Sequence, residues 1–540
     1  MGQSMTWTDP HLQRREANFQ PLNPVRFLAR ENEAHPERTA VIWRDRSWTY
    51  AAFNTLSVRL ADLVRSAGIG RGDVVSIISR NRPEMLAAHF AVPALGAILN
   101  TINTRLDAEA IAYILCNSEA RLLLVDEAVG ALALQAAEDA GVKTIRLSDV
   151  VGQGETPDLL SGEIDPDARL DEGMIIDEWQ PVCLNYTSGT TGNPKGVVYH
   201  ARGAFLNAMG NALSLGFGAG TRYLWTLPMF HCNGWAHTWA VTAAGGTHVC
   251  LDAVEPATIL DLVANADITH MSCAPVVLYM LLNDPKVSAL KGTDRRVSVA
   301  TGGAAPTASL ISQLDAIGFD LVHLYGLTES YGPASIGELA DGMHNDDPVT
   351  KAEWLARQGV RHKTSGDIRI VDPETGEDQP ADSQSAGEIL LRGNTLMAGY
   401  HKDPEATDAA FADGWFHTGD IAVREPDGAM RITDRAKDVI ISGGENISSL
   451  EVESLLHRHP AVMLAAVVAM PSEKWGETPC AFIELKPGAQ VDADELMTFC
   501  RSHLAGFKIP RKFVFDELPK TATGKIQKFV LREEARRYDR

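Results

Sequence analysis

A run rich in glycine and hydroxyl side chains, YTSGTTGNPKGV at residues 186–197, has the composition of a loop that binds phosphate. Its backbone amides can surround phosphate oxygens, while hydroxyl groups add donors and a lysine adds charge. The residues assigned to this task are Thr187, Ser188, Gly189, Thr190, Thr191, Gly192 and Lys195. The usual phosphate loop reads G-x-x-x-x-G-K-[ST], whereas this one reads G-x-x-G-x-x-K without a following Ser or Thr. A flexible surface turn is the alternative interpretation.

Two other strand-like runs also end in a turn that is rich in glycine or hydroxyl groups. RVSVAT leads into GGAAP at 302–306, and DLVHL leads into YGLTES at 325–330. In open α/β sheets, ligands bind beyond the carboxyl ends of the strands. Each turn alone is usually nothing more than a turn. Together with the 186–197 loop, they predict a composite nucleotide site.

Short apolar runs alternate with helical patterns along most of the chain, which predicts an α/β architecture. We expect a large N-terminal domain, residues 1–434, with mixed sheets and helices in layers. The last hundred residues predict a small α+β domain, residues 435–540. Its expected elements are a helix at 450–459, strands at 461–469 and 481–485, and a helix at 494–504.

The charge balance and the cysteines exclude several classes of function. The formal net charge of the 540 residues is −21, and no long Lys/Arg run is present, which disfavours nucleic acid and anionic membrane as partners. Seven scattered cysteines without a C-x-x-C pair predict a reducing compartment, with neither a disulfide scaffold nor a zinc site. The N-terminus has no apolar signal region, so we expect a cytoplasmic protein.

Two segments, 85–104 and 223–251, lack formal charge over about the length of a membrane span. Proline, glycine, histidine and asparagine interrupt both of them, whereas a true span is mostly Leu, Ile, Val and Phe. We therefore predict buried core segments and no membrane span.

Three more motifs follow the first ones in order: FHTGD at 416–420, DRAKDVIISGGENIS at 434–448 and PKTATGKIQK at 519–528. With YTSGTTGNPKGV and YGLTES, they resemble the adenylate-forming superfamily of acyl-CoA synthetases, luciferases and peptide-synthetase adenylation domains. The resemblance runs from residue 186 to 528. It implies that the protein activates a carboxylic acid with ATP and Mg²⁺ as acyl-AMP, releases pyrophosphate, and passes the acyl group to the thiol of CoA.

The resemblance also implies roles for single residues in the first step. Lys525 would bridge the substrate carboxylate and the α-phosphate; at about 4 Å and an effective dielectric near 20, such an ion pair contributes about 4 kcal/mol. The alternative is a solvated basic tail, because Lys520 and Lys528 lie close by. Tyr325 would stack on adenine, and Asp420 would accept hydrogen bonds from the ribose, which Arg435 also reaches.

The remaining nucleotide contacts come from the same motifs. Thr328 would contact phosphate, and Glu329 with Thr190 would hold Mg²⁺, a cation that prefers oxygen ligands. Further residues would line the adenine pocket or contact the nucleotide: Gly302, Gly303, Ala304, Ala305, Pro306, His323, Gly326 and Ile432.

The second step needs a rotation of the C-terminal domain in enzymes of this superfamily. By resemblance, Lys437 stands at the hinge, and Gly443, Gly444 and Glu445 line the pantetheine tunnel, where glycine permits close backbone approach. Many relatives carry a lysine just before the Gly-Gly pair, but this chain has Ser442. That departure leaves the contacts to the CoA phosphates open.

PMFHCNGW at 228–235 resembles the motif before the acyl pocket of acyl-CoA synthetases. His231 would be a gate between the acyl-adenylate and the thiol entrance. Leu324 stands where aromatic-acid and long-chain members have glycine, and facing Trp235 it should shorten the pocket. Pro333 and Ile336 complete an apolar lining. We expect a short- to medium-chain acid with an uncharged tail.

The HCNGW element and ESYGPAS at 329–335 resemble bacterial 3-methylmercaptopropionyl-CoA ligases and related plant short-chain or benzoyl/cinnamoyl-CoA synthetases. 3-Methylmercaptopropionate is the first choice of acid, although pocket size alone does not separate a thioether from a four- or five-carbon acid. Loading of a carrier protein, a luciferase-like oxygenase and a non-catalytic nucleotide-binding protein are the rival functions. The oligomeric state stays open between a monomer and a homodimer.

Overall fold

The described part of the chain forms four β-sheets. In this computed structural model it comprises residues 9–148, 159–160, 163–187, 194–302, 306, 308–339, 343, 347–435, 437–443, 445–472, 474–521 and 525–538. Three sheets precede Lys437 and one follows it. Parallel and antiparallel sheets with covering helices confirm the predicted α/β class, with a large N-terminal and a small C-terminal domain.

A seven-stranded sheet carries the 186–197 loop at one end of a hairpin. Its strands are β3 (Val74–Ile78), β4 (Ile98–Ile102), β5 (Ala120–Asp126), β6 (Lys143–Leu147), β7 (Pro181–Tyr186), β8 (Gly196–His200) and β18 (Gly399–Tyr400), in the order β18-β8-β7-β4-β3-β5-β6. Strands β3 to β7 pair in parallel, and β8 pairs antiparallel with β7. All five residues of β3 are buried, as an apolar run in a parallel sheet requires.

A nine-stranded sheet carries the other two turns. Its strands are β1 (Thr39–Trp43), β2 (Arg46–Thr49), β9 (Arg222–Leu224), β10 (Thr247–Cys250), β11 (His270–Cys273), β12 (Val297–Thr301), β13 (Phe319–Leu327), β14 (Gly332–Ile336) and β15 (Val360–Arg361), in the order β15-β14-β13-β12-β11-β9-β10-β1-β2. Because β12 and β13 are parallel neighbours, the turns at 302–306 and 325–330 begin at the same edge of the sheet.

Antiparallel strands make up the third sheet: β16 (Asp367–Val371), β17 (Ala386–Arg392), β19 (Phe416–Arg424) and β20 (Met430–Arg435), in the order β16-β17-β19-β20. In its last pair, Asp420 lies opposite Arg435. Register therefore brings two predicted nucleotide residues together, although they belong to different motifs.

The helices of the N-terminal domain cover these sheets. They are α1 (Arg26–Ala34), α2 (Tyr50–Ser66), α3 (Pro83–Ala91), α4 (Ala108–Asn117), α5 (Ala131–Asp139), α6 (Ala201–Ser214), α8 (His237–Ala243), α9 (Pro256–Asn265), α10 (Pro275–Asn283), α11 (Ala308–Asp315), α12 (Pro348–Leu355) and α13 (Pro404–Ala410). A single turn of left-handed backbone, α7 (Cys232–Trp235), precedes α8.

The two uncharged segments lie in the protein core. Segment 85–104 forms α3 and β4, and all nine residues of α3 are buried. Segment 223–251 runs through β9, α7, α8 and β10, and the ten residues 232–241 are buried throughout. Nowhere in the described ranges is a helix both long and apolar enough to cross a membrane.

The C-terminal domain contains the predicted elements with shifted ends. Its helices are α14 (Ser449–Leu456), α15 (Ala493–Arg501) and α16 (Lys528–Ala535), and its strands are β21 (Ile440–Ser442), β22 (Glu445–Ile447), β23 (Val462–Ser472), β24 (Gly476–Leu485) and β25 (Lys512–Phe515). Both predicted helices end three residues earlier than expected, and both strands are longer. The strands extend because β23 and β24 pair along their whole length as one antiparallel ladder.

Candidate functional site

Several predicted site residues lie outside the described residues: Ser188, Gly189, Thr190, Thr191, Gly192, Gly303, Ala304, Ala305 and Gly444. The flanks of the phosphate loop are described. The amide of Thr187 donates to the carbonyl of Lys195 (3.0 Å), so the β7–β8 hairpin closes at the base of the loop. Lys195 is exposed, and its Nζ lies 3.8 Å from Asp403 and 4.9 Å from the ring centroid of Tyr400.

Tyr325, Asp420 and Arg435 form a connected group at the end of β13. The hydroxyl of Tyr325 donates to Oδ2 of Asp420 (2.8 Å), and Nε of Arg435 lies 3.2 Å from Oδ1. Burial, followed by the charge of Asp420, raises the pKa of Tyr325 well above its ordinary value, so the phenol stays protonated as a donor. A carboxylate has about four acceptor sites, so Asp420 has the capacity to accept ribose hydroxyls as well.

Glu329 belongs to a second group, which reaches the base of the phosphate loop. Oε1 of Glu329 accepts a hydrogen bond from the hydroxyl of Tyr400 (2.8 Å), whose ring faces Lys195. Because the carboxylate retains further acceptor sites, it fits an Mg²⁺ ligand. The carbonyl of the preceding residue, Thr328, accepts from the Tyr199 hydroxyl (2.7 Å), which fixes the backbone at this turn.

Lys525 lies where the C-terminal domain meets the Asp420 group. The pKa of Lys525 is lowered to about 8, mainly because protein from both domains displaces water and next because of the Arg435 charge. The side chain still reaches solvent through the cleft between the domains. His231 is close enough to be affected: burial and then the charge of Lys525 lower its pKa to about 4. Lysine, arginine, aspartate and histidine thus converge from four separate motifs.

The ion pairs of the neighbouring lysines, Lys520 and Lys528, test the alternative that Lys525 belongs to a solvated basic tail. Lys520 pairs with Glu484 at 2.6 Å, and Lys528 pairs with Glu453 at 2.7 Å. Among the described residues, no carboxylate lies within 4 Å of the Lys525 ammonium group. The three lysines are therefore not equivalent, and Lys525 alone presents its charge to the cleft.

Three predicted nucleotide contacts have clear structural surroundings. Nδ1 of the buried His323 bonds to the carbonyl of Arg357 (3.0 Å). Gly326 must be glycine, because a Cβ there would lie 2.0 Å from the carbonyl oxygen of Gly332. The amide of Ile432 donates to the side chain of Gln358 (2.5 Å). Their contacts with a nucleotide stay predictions.

The predicted acid-binding residues pack into one apolar cluster. Trp235, Leu324 and Ile336 are at most 9% exposed and share a cluster with Leu215, Leu227, Cys232 and Ala300. Leu324 lies opposite Ile336 in the β13–β14 pair, and Pro333 is buried in β14. A Cβ on Gly302 would lie 2.8 Å from the carbonyl oxygen of Leu324 and 3.2 Å from the Trp235 ring. The absence of a side chain at Gly302 therefore leaves room for the Leu324 carbonyl group and the Trp235 ring.

Around the predicted hinge, side chains of the two domains meet. Asp434 of β20 accepts hydrogen bonds from the amide (2.6 Å) and the hydroxyl (3.1 Å) of Ser449, the first residue of α14. Arg532 of α16 contacts Asp438, next to the exposed Lys437. The carboxylate of Asp434 thus lies at the N-terminus of α14, beside the N-cap residue Ser448, where the helix dipole favours negative charge.

The predicted pantetheine residues stand apart from the Asp420 group. Gly443 has φ +60°, its amide donates to the carbonyl of Trp475 (2.8 Å), and a Cβ there would lie 2.9 Å from the Trp475 ring. Glu445 is exposed. In the described part of the chain, no hydrogen bond or ion pair joins Gly443 or Glu445 to Asp420, Glu329 or Lys525.

Sequence motifs did not reveal several residues that hold the site. Tyr199 and Tyr400 connect the turn at 328–329 to β8 and β18, and neither lies in a recognisable motif. Asn185 is the last residue but one of β7 and bonds to Asn233 inside the protein. An asparagine just before a glycine-rich loop was the only available signal, and by itself it indicates a turn.

Comparison with known proteins agrees with this geometry. The family described as AMP-binding enzyme matches residues 28–401, and the AMP-binding enzyme C-terminal domain matches residues 451–525. A peroxisomal acetate/butyrate–CoA ligase of Arabidopsis thaliana is 42% identical over 96% of this chain and 95% of its own length. A peroxisomal benzoate–CoA ligase of the same plant is 40% identical over 96% of this chain and 94% of its own.

A solved structure has the same fold over almost its full length. ATP-bound MatB from Rhodopseudomonas palustris superimposes with a TM-score of 0.83 at 26% identity, covering 95% of this chain and 99% of that one. Both sequence and structure therefore match across the two domains.

Proposed function

Since this chain belongs to the family of AMP-binding enzymes and is an acid–CoA ligase that works through an acyl-AMP, we propose that its acid is short to medium in length with an uncharged tail. 3-Methylmercaptopropionate is the first candidate, with straight acids of four or five carbons beside it. The convergence of Lys525 with Asp420, Arg435 and His231 carries the proposal for the chemistry.

Two anions, a carboxylate and the α-phosphate of ATP, must meet in the first step. The carboxylate oxygen attacks the α-phosphorus, the bond to the β-phosphate oxygen breaks, and pyrophosphate leaves. Lys525 stabilises the charge that both reactants share, and Asp420 with Tyr325 positions the nucleoside. Glu329 and Thr190 would hold Mg²⁺, which supplies positive charge to the leaving phosphates.

In the second step the CoA sulfur attacks the acyl carbonyl carbon, and AMP leaves with the electrons of the acyl–phosphate bond. We place the domain boundary at 434–435 and the hinge at Lys437. Rotation there withdraws Lys525 and separates Asp434 from Ser449. It also brings Gly443, Gly444 and Glu445 to the acyl-AMP. His231, which is half-buried and feels the charge of Lys525, is the proposed gate between the acyl-adenylate and the thiol entrance.

The closed acid pocket supports a short chain. Trp235, Leu324 and Ile336 are buried together in one apolar cluster, which supports a pocket with little room for a longer tail. Apolar walls bind an uncharged tail because burial of apolar area is favourable, about 25 cal/mol per Å². Leu324 in place of glycine disfavours benzoate or cinnamate, the second candidate class.

Two further parts of the proposal rest on the sequence. We propose a cytoplasmic location, although the two plant relatives are named peroxisomal. Free CoA is the proposed acceptor, and loading of a carrier protein is its rival. Thioester formation with free CoA separates these two.

One substrate panel tests the acid class. We would measure kcat/KM with ATP and CoA for straight acids of two to ten carbons, branched and aromatic acids, and 3-methylmercaptopropionate. We expect the maximum at a chain of about three to four heavy atoms beyond the carboxylate carbon, with aromatic acids at least about tenfold lower. A maximum at long-chain or aromatic acids would refute the pocket argument.

A further inference from the structure

Five consecutive residues next to the active site have left-handed backbone. The φ angles of Cys232, Asn233, Gly234, Trp235 and Ala236 are 46°, 43°, 58°, 55° and 60°. Such a run is unfavourable for L-residues, and glycine and asparagine are the residues that tolerate it best. Strained backbone persists only where surrounding contacts determine it, and it concentrates at functional sites. Contacts from several neighbouring elements hold this turn in place.

Asn233, which is fully buried, bonds through its backbone and both ends of its side chain. Its Oδ1 accepts from Nδ2 of Asn185, and its backbone amide donates to Oδ1 of Asn185 (3.3 Å). Its Nδ2 lies 3.1 Å from Nε2 of His89. Buried polar groups are costly when unpaired, so this complete set of partners holds Asn233 in one orientation.

The partners of Asn233 are themselves held by elements that come earlier in the chain. Nδ1 of His89 lies 2.8 Å from the carbonyl of Met85, which can only accept, so Nδ1 carries the proton and Nε2 accepts from Asn233. The hydroxyl of Thr101 lies 3.1 Å from Oδ1 of Asn185 and 2.9 Å from the carbonyl of Phe230. Helix α3 and strands β4 and β7 thus anchor the turn at Phe230 and Asn233, on both sides of His231.

The far end of the turn is anchored as well. Nδ2 of Asn211 on α6 donates to the carbonyl of Trp235 (2.7 Å). A Cβ on Gly234 would lie 2.6 Å from the Trp225 ring, so the backbone packs directly on that ring. The Trp235 side chain is consequently aimed at Gly302 and the apolar cluster.

We propose that Asn233 is a positioning residue for acid recognition: by holding the left-handed turn 232–236, it sets where Trp235 closes the acid pocket and where His231 stands in the cleft. The inference rests on the proposed function, in which Trp235 lines the acid pocket. It assigns chain-length selection to a residue that does not itself line the pocket.

Asn233→Gly is the decisive variant, because glycine keeps the left-handed backbone accessible and removes only the side-chain bonds. Loss of these buried bonds predicts a fall of about 10- to 100-fold in kcat/KM for the preferred acid. The apparent KM for ATP should stay within about twofold, and the preference for short over eight-carbon acids should weaken at least about fivefold. Asn233→Ala, which also loses backbone tolerance, should be worse still.

Two companion variants keep the test conclusive. Thr101→Val is nearly isosteric and removes the hydroxyl that steadies Asn185 and Phe230, so it should shift the acid profile in the same direction but less. Asn54→Ala removes another buried asparagine, which donates to the carbonyl of Ala168 (2.9 Å) far from the turn. It should lower the melting temperature without changing acid selectivity.

The outcomes separate the two levels of the argument. If the wild-type enzyme shows no short-chain preference in the panel, the proposed function fails. If the wild type is selective and a folded Asn233→Gly enzyme keeps the same acid profile, the role of Asn233 is refuted. Should Asn233→Gly not fold, Thr101→Val decides: an altered profile supports the role, and an unchanged one overturns it.

Discussion

The acid pocket and the nucleotide cleft are built in opposite ways. Trp235, Leu324 and Ile336 pack within one domain, are almost fully buried, and carry no charge. The cleft is assembled from charged residues of both domains: Asp420 of β19 pairs with Arg435 of β20, and Lys525 comes from the segment just before α16. We thus propose that packing within one domain sets selectivity for the acid, whereas Lys525, the proposed catalytic cation, lies on the separate, smaller domain.

Removal of the Lys525 charge should have the largest effect on adenylation. Lys525→Ala should lower the acid-dependent exchange of pyrophosphate into ATP by about 1,000-fold, since one ion pair at an effective dielectric near 20 contributes about 4 kcal/mol. Thioester formation from synthetic acyl-AMP and CoA should change little. Lys520→Ala is the matched control, because Lys520 lies on the same segment but pairs with Glu484. If Lys525→Ala exchanged pyrophosphate into ATP at the normal rate, the proposed role of Lys525 in adenylation would be refuted.

The fixed side of the cleft should come next. Asp420→Asn weakens the contacts to Tyr325 and Arg435 and the proposed ribose contact. We expect the KM for ATP to rise about 30-fold, in line with about 2 kcal/mol for hydrogen bonds to a charged group. The KM for the acid should stay nearly constant. Asp427→Asn, which alters an exposed pair with Arg357, serves as the control.

The acid pocket should respond in selectivity more than in rate. Leu324→Gly opens the apolar wall, so the ratio of kcat/KM for octanoate to that for butyrate should rise about 20-fold. Gly302→Ala places a methyl group between Leu324 and Trp235 and should shift the preference toward acetate. Leu260→Ala, in a different buried cluster, should lower stability and leave the profile unchanged. An unchanged acid profile in both Leu324→Gly and Gly302→Ala would show that packing does not set chain length.

The smallest expected effect is one of pH. With a pKa of about 8, Lys525 loses its charge as pH rises, so kcat/KM for adenylation should be constant below pH 7 and fall about tenfold by pH 9. His231, with its pKa near 4, is neutral above pH 5 and adds no rising limb there. Lys525→Arg should abolish the alkaline fall. If the fall persists in that variant, another group titrates.

Much of the framework could be predicted from the sequence, because local patterns determine it. The strand at 74–78 and the helix that begins at Pro256 follow from apolar runs and a proline at the first helical position. Resemblance also identified Asp420 and Arg435, which the β19–β20 register joins. The approach of Lys525 to these two residues depends on how the two domains pack, and local sequence periodicity carries no information about that packing.

The residues that escaped prediction act through distant pairs. Asn185 and Asn233 are 48 positions apart, and Asn233 and His89 are 144 apart. A buried asparagine looks like a turn residue until its partners are known. The phosphate loop shows the reverse case, since its composition predicts a function for residues 188–192, which lie outside the described part of the chain.

The hydrogen bond from the Ser449 amide to Asp434 would distinguish the resting form from the proposed rotated form in hydrogen–deuterium exchange. While Asp434 accepts the amide hydrogen of Ser449, that hydrogen is protected from deuterium in the solvent. In the proposed rotation at Lys437 this hydrogen bond breaks, and the Ser449 amide becomes open to exchange. Deuterium uptake at the Ser449 amide would therefore report the fraction of time that the smaller domain spends in the rotated position.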